Sequence, residues 1–191
     1  MDPRLLGVAS AFGLATAAGF NTTLPLLIVG LTARAGWLAL AAPYDALASD
    51  LALGGLLVLA VLEIVGDKVP ALDSVVHAVL WPLAMAAGAI LFASQQSIVQ
   101  DVAPGLAILI GVLTGGGVHA LRAMVRPALN LGTFSIGGPI ASTLEDGLAL
   151  LLTLAALVMP IVALALVAVV VIVGVRAVVA RLRRREAVRH S

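Results

Sequence analysis

Long apolar runs, broken by short clusters of proline, glycine and charge, set the pattern of this chain. The first run, Leu5 to Leu31, exceeds the roughly 20 apolar residues that a helix needs to cross hydrocarbon. Asn21-Thr22-Thr23-Leu24-Pro25 interrupts it just after Gly19. Proline removes a backbone donor and biases its predecessor away from the helical region, so a broken or kinked helix is expected there. A cleaved leader, with Arg4 as its basic region and Ala15-Thr16-Ala17 as a cleavage-like site, competes with this reading. The apolar run, however, continues well past that site.

Further spans follow the same logic. Arg34 to Asp50 reads as an amphipathic connector, with Trp37 and Tyr44 suited to a membrane interface. Leu51 to Gly66 forms a second span, and Asp73 or Ser74 caps a third that runs from Val75 through Trp81 to Ser94. Gln95 to Pro104 is a polar loop, and Gly105 to Arg126 a fourth span. Pro127 to Pro139 is expected to be a loop or re-entrant turn. Two helices, Ser142 to Val158 and Ile161 to Ala180, flank Met159-Pro160. Joined into one, they would measure about 60 Å at about 1.5 Å per residue, too long for one crossing. A hairpin at Pro160 is preferred, with a long kinked helix as the alternative. The expected spans are thus 5–33, 51–66, 75–94, 105–126, 142–158 and 161–180, in one domain over residues 1–180 followed by a basic tail, 181–191.

Composition supports lipid as the solvent. Of 191 residues, 62% are hydrophobic and 11% charged, and the mean hydropathy is +1.16. A soluble domain is about one-quarter charged, because its outer surface faces water. The predicted class is therefore all-α, a polytopic transmembrane bundle of about six spans. No cysteine is present, which excludes disulfides, thiolate metal sites and a cysteine nucleophile.

The formal charge of +1 hides an asymmetry: Arg181, Arg183, Arg184, Arg185 and Arg189 against Glu186 give the tail +4, leaving −3 elsewhere. Such a tail fits anionic headgroups better than nucleic acid, since no folded or aromatic module accompanies it. Six spans with both termini in the cytoplasm place Arg4, Lys68, Arg122, Arg126 and the tail inside, and only Arg34 outside. That predicts a multi-pass protein of the cell (inner) membrane. The two halves also resemble each other in outline, each with a Gly/Ala-rich helix, an Asn before a Pro (Asn21 and Pro25, Asn130 and Pro139) and an acidic pair. Two inverted three-helix halves with a broken first helix would fit a transporter.

Ionisable groups near lipid are costly and call for an explanation. Glu63 and Asp67 are four apart and share a helix face. His119, Arg122 and Arg126 make one stripe on the fourth helix. Glu145 and Asp146 are expected at the start of the fifth, where the helix dipole favours anions. Asn21 and Thr22, beside Thr23, stand where a broken helix would expose backbone amides and carbonyls. Asp73 lies four residues before His77, and Asn130 falls in the expected loop.

Two interpretations of these groups stand side by side. In one, Asn21, Thr22, Glu63, Asp67, Asp73, His119, Arg122, Arg126, Asn130, Glu145 and Asp146 line a pathway for an ion or small solute. In the other, the charges pair at the membrane boundary and fix helix register. Lys68 reads as a snorkelling interface residue, and Gly115-Gly116-Gly117 as close helix packing rather than a phosphate loop. Ser135 and Ser142 have no base at helical spacing, no metal-ligand spacing is present, and nothing in the pattern asks for a cofactor.

With these residues in place, the chain resembles the domain-of-unknown-function (DUF) 4126 family of small bacterial membrane proteins. The matching strings are Gly19-Phe-Asn21-Thr-Thr-Leu-Pro25 and Glu63-Ile-Val-Gly-Asp67-Lys68-Val-Pro70-Ala-Leu-Asp73-Ser74. They continue with Gly116-Gly-Val-His119-Ala-Leu-Arg122-Ala-Met-Val-Arg126, Asn130 and Ser142-Thr-Leu-Glu145-Asp146. The resemblance implies a multi-helix membrane protein and carries no activity with it. A weaker similarity is to cation exchangers with Glu-x-Gly-Asp-Lys-Ser/Thr; here Glu63 and Asp67 are one residue further apart and Val69 replaces the hydroxyl.

The expected function is that of a non-enzymatic transporter or channel-like protein in the lipid bilayer. The alternative is a non-catalytic subunit or scaffold, in a homo-oligomer or larger membrane complex, that exposes a small-residue face such as the Gly/Ala run of the first helix.

Overall fold

The computed structural model describes residues 2–67, 73–95, 102–132 and 137–189 of the chain. Over these the fold is an all-α bundle: α1 (Pro3–Phe20), α2 (Thr23–Arg34), a 3-10 turn (Tyr44–Ala48), α3 (Asp50–Gly66), α4 (Asp73–Ala93), α5 (Pro104–Gly132), α6 (Gly137–Val158) and α7 (Pro160–Arg189). Local chemistry sets several ends. The Asp2 carboxylate accepts the Arg4 amide at 2.9 Å to cap α1, and the Ser49 hydroxyl accepts the Ala52 amide at 3.3 Å to cap α3.

The first apolar run is broken where Asn21 adopts an extended conformation between α1 and α2. The connector behind α2 packs back on the bundle, its Ala41 amide donating to the Ser94 carbonyl at 2.9 Å, while Trp37 stays 85% exposed.

Two expectations need correction. Pro127 does not end the fourth helix, since α5 continues to Gly132. The expected loop thus shrinks, and residues 133–136 lie outside the described ones. α6 begins at Gly137 rather than Ser142, with Pro139 in its first turn, where a missing amide costs no helical hydrogen bond. Over the basic tail the chain is helical as far as Arg189, as a continuation of α7.

α1 lies at the centre, packed against α4, α5, α6 and α7. Its Gly/Ala run is therefore interior rather than an exposed docking face: Ala11, Leu14, Ala15, Ala17 and Ala18 are fully buried. Phe12 of α1 meets Phe92 of α4 edge-to-face, ring centres 5.1 Å apart. α4 and α5 form the most extensive helix pair. Their backbones approach so closely that a Cβ on Gly111 would lie 2.5 Å from the Gly88 carbonyl oxygen, and one on Gly115 2.6 Å from that of Ala84. Glycine is what permits this contact.

Met159 interrupts the last two helices, and the chain reverses there. Leu148 of α6 and Val169 of α7 line the same cavity, which a single kinked helix would hold apart by about 30 Å. The hairpin is the observed arrangement.

The polarity of the bundle is inverted relative to a soluble protein. Leu51, Leu62, Leu113, Leu144 and Val173 are exposed, while Thr16, Asn21, Glu63, Asp67, His119, Arg122, Ser142 and Thr153 are buried. Among the described residues three helical stretches, Pro104–Met124, Pro139–Val158 and Pro160–Ala180, are long and apolar enough to cross a membrane, and Thr23–Arg34 and Val79–Ala93 are shorter apolar helices. These features point to a membrane protein.

Candidate functional site

The break between α1 and α2 leaves two sets of backbone groups without helical partners: carbonyls at the end of α1 and amides at the start of α2. Each set meets a buried ion. Glu63 of α3 accepts the Thr22 amide at 2.7 Å through Oε1, and the Thr23 amide at 3.0 Å and Thr23 hydroxyl at 2.7 Å through Oε2. A carboxylate at a helix N-terminus is favoured by both the free amides and the dipole. At the other end, Arg122 of α5 donates through Nη1 to the Phe20 carbonyl at 2.6 Å, where the dipole favours a cation.

The same guanidinium donates through Nε to Glu145 at 2.6 Å and through Nη2 to Asp67. The planar fork of arginine suits this three-way bridge, because its donors point in fixed, different directions. The Arg122 side chain is 1% exposed, that of Asp67 2% and that of Glu145 13%, so the bridge is shielded from solvent. Asn21 completes the junction. Its Nδ2 donates to Asp146 at 2.9 Å, and its Oδ1 accepts the Leu24 amide at 2.9 Å, closing the first turn of α2.

Seven of the residues singled out from sequence thus converge: Asn21, Thr22, Glu63, Asp67, Arg122, Glu145 and Asp146. His119 is buried three residues before Arg122 on α5. Asp73 opens α4, and Arg126 and Asn130 lie on α5, but their side chains, like that of His77, are outside the described residues, as is Lys68 altogether.

The expected helix-dipole role of Glu145 and Asp146 does not hold. α6 starts at Gly137, so both stand beyond its first two turns and are held by Arg122 and Asn21 instead. The Phe20 carbonyl is a ligand that residue types cannot announce. Among the described residues no three metal-ligating side chains come together.

Two apolar-walled cavities flank the charges. One of about 320 Å³ reaches Arg122 and Glu145 between α1, α5, α6 and α7. The other, about 400 Å³, reaches Thr22, Thr23 and Glu63 between α2, α3 and α4. The arrangement can hold or exchange a cation or proton: among the described side chains, Asp67 and Glu145 pair with the Arg122 guanidinium, while Glu63 is held by the α2 amides and Asp146 by Asn21.

A family model described as "Domain of unknown function (DUF4126)" matches residues 8–180. Comparison with curated proteins and with solved structures returns no match.

Proposed function

This chain belongs to the DUF4126 family, and we propose that it is a small transporter or channel-like membrane protein that handles an ion or small solute at the charged helix break. The observation that carries the reading is the occupation of both broken ends by buried ions, Glu63 on the α2 amides and Arg122 on the α1 carbonyl. Discontinuous helices of this kind place unwound backbone at the site of a transported solute. Arg122 takes the place of a bound cation, on a carbonyl and two carboxylates. A proton or cation arriving at Asp67 or Glu145 competes with it and loosens the bridge between α3, α5 and α6. The protein contributes no covalent chemistry in this scheme.

In the same reading six segments cross the cytoplasmic (inner) membrane, with both termini and most basic residues on the cytoplasmic side. The test is flux of protons, alkali cations and small organic cations into sealed proteoliposomes. Glu63→Gln or Glu145→Gln, folded by its melting profile, is expected to lose flux; unchanged flux in both removes the break from the mechanism.

A scaffold reading has one observation in its favour. α3 buries only Leu53, Ala60 and Glu63, leaving Leu57, Val58 and Leu62 exposed for another chain or for lipid. A stoichiometric partner purified with the native protein, together with absent flux, favours that role.

A further inference from the structure

The cavity between α2, α3 and α4 differs from its neighbour in charge balance. In the cavity beside α7, the lining carboxylate Glu145 is already paired with Arg122. In this one the carboxylate is Glu63, and all three of its partners are neutral donors. Among the described residues no cationic side chain pairs with it. A carboxylate offers about four acceptor positions, so one stays open. Thr22 lines the same cavity, and its hydroxyl is buried, the residue being 2% exposed, with no hydrogen-bond partner among the described residues. A buried hydroxyl left unsatisfied is unfavourable, and a ligand donor relieves it.

The rest of the wall is hydrocarbon, including Leu26, Leu56, Leu80 and Ile90. Leu59, Leu62, Val79 and Leu83 of its lining are exposed, so the cavity opens to the outside of the bundle.

We infer that this cavity binds an organic monocation with an apolar body, its ammonium donating to Glu63 and the Thr22 hydroxyl while its hydrocarbon fills the remaining space. An inorganic cation is a poor fit, because hard cations need about six or more oxygen ligands and the cavity offers few. An anion is repelled by Glu63. An amphiphilic ammonium needs only these acceptors, and it arrives already concentrated in the lipid. The inference names a substrate class for the function proposed above and rests on that reading for its purpose, though not for the binding itself.

The test uses the purified full chain in nanodiscs of zwitterionic lipid, with empty nanodiscs subtracted. Equilibrium dialysis compares 1-naphthylmethylammonium with its neutral counterpart 1-naphthylmethanol. Saturable binding is expected, with the ammonium about tenfold tighter or more, the worth of one charge-assisted hydrogen bond. Thr22→Val weakens the ammonium selectively, Glu63→Gln removes the preference, and Ala86→Leu, which narrows the cavity from α4 without touching a polar side chain's identity, weakens both probes. If Glu63→Gln does not fold, Thr22→Val and Ala86→Leu decide the matter. Equal affinity for the two probes in the unmodified protein, or ammonium binding indifferent to both of those substitutions, overturns the inference. Intact ammonium binding without flux of any cation contradicts transport alone; flux without ammonium preference contradicts this site alone.

Discussion

The Arg122 guanidinium donates to the carbonyl of Phe20 at 2.6 Å, across 102 positions of sequence. One side chain thereby satisfies the end of α1 and, through its other nitrogens, joins Asp67 at the end of α3 to Glu145 on α6. The break in the first helix is thus an electrostatic junction of four helices, rather than a local proline kink.

Removing that cation should be severe. Arg122→Leu takes the cation away from two shielded carboxylates, a change that costs about 3–5 kcal/mol in a buried pair. Arg122→Lys keeps the charge but cannot direct donors to three acceptors at once, so it should recover only part of the loss. Thermal unfolding in detergent measures both; equal melting of Arg122→Lys and the unmodified protein would rule out the three-way bridge.

The glycine triplet offers a contrast within consecutive positions. Gly115→Ala places a methyl 2.6 Å from the Ala84 carbonyl oxygen, and backbone on both sides leaves little room to yield. Gly117 has nothing within 4 Å of an added Cβ, so Gly117→Ala should be neutral or stabilise by up to about 1 kcal/mol through helix propensity. Melting temperatures that move in the same direction for the two variants would contradict the close α4–α5 approach.

Asn21 serves as donor to Asp146 and as acceptor for α2. Asn21→Asp keeps the acceptor but sets a second carboxylate against Asp146, whereas Asn21→Ser keeps a small capping group without that charge. The aspartate variant should be the less stable of the two near neutral pH, and lowering the pH should narrow the gap as the carboxylates take up protons. A gap that persists unchanged in acid would show that like-charge repulsion is not its source.

Much of this was legible in the sequence. The polar Asn-Thr-Thr-Leu-Pro string marks a break because proline and short polar side chains disfavour a continuous helix. Met159-Pro160 marks the turn of the hairpin for the same reason. Glu63 and Asp67 share a face by spacing alone, and they do reach one site.

Other features were hidden for physical reasons. Pro127 looks like a stop, yet α5 continues through it; proline is tolerated in apolar helices where neighbours satisfy the freed groups. Gly137-Gly138-Pro139 looks like a turn, yet proline suits a first helical turn, so α6 starts early and Glu145 falls in its interior. The arginine-rich end reads as a basic anchor at anionic headgroups, and its composition alone does not announce a helix, yet Leu, Ala and Arg are all good helix formers, and α7 goes on. The Phe20 carbonyl carries no side-chain signature, and its pairing with Arg122 depends on the assembled bundle.

The central claim is that the helix break is a working site, open to ions, rather than a sealed structural lock. The most direct measurement is labelling of Thr22→Cys by a small, membrane-impermeant cationic thiol reagent in sealed proteoliposomes. Modification from one side, in protein whose melting is unchanged, is the expected result. A folded Thr22→Cys protein that stays unmodified from both sides would contradict the claim.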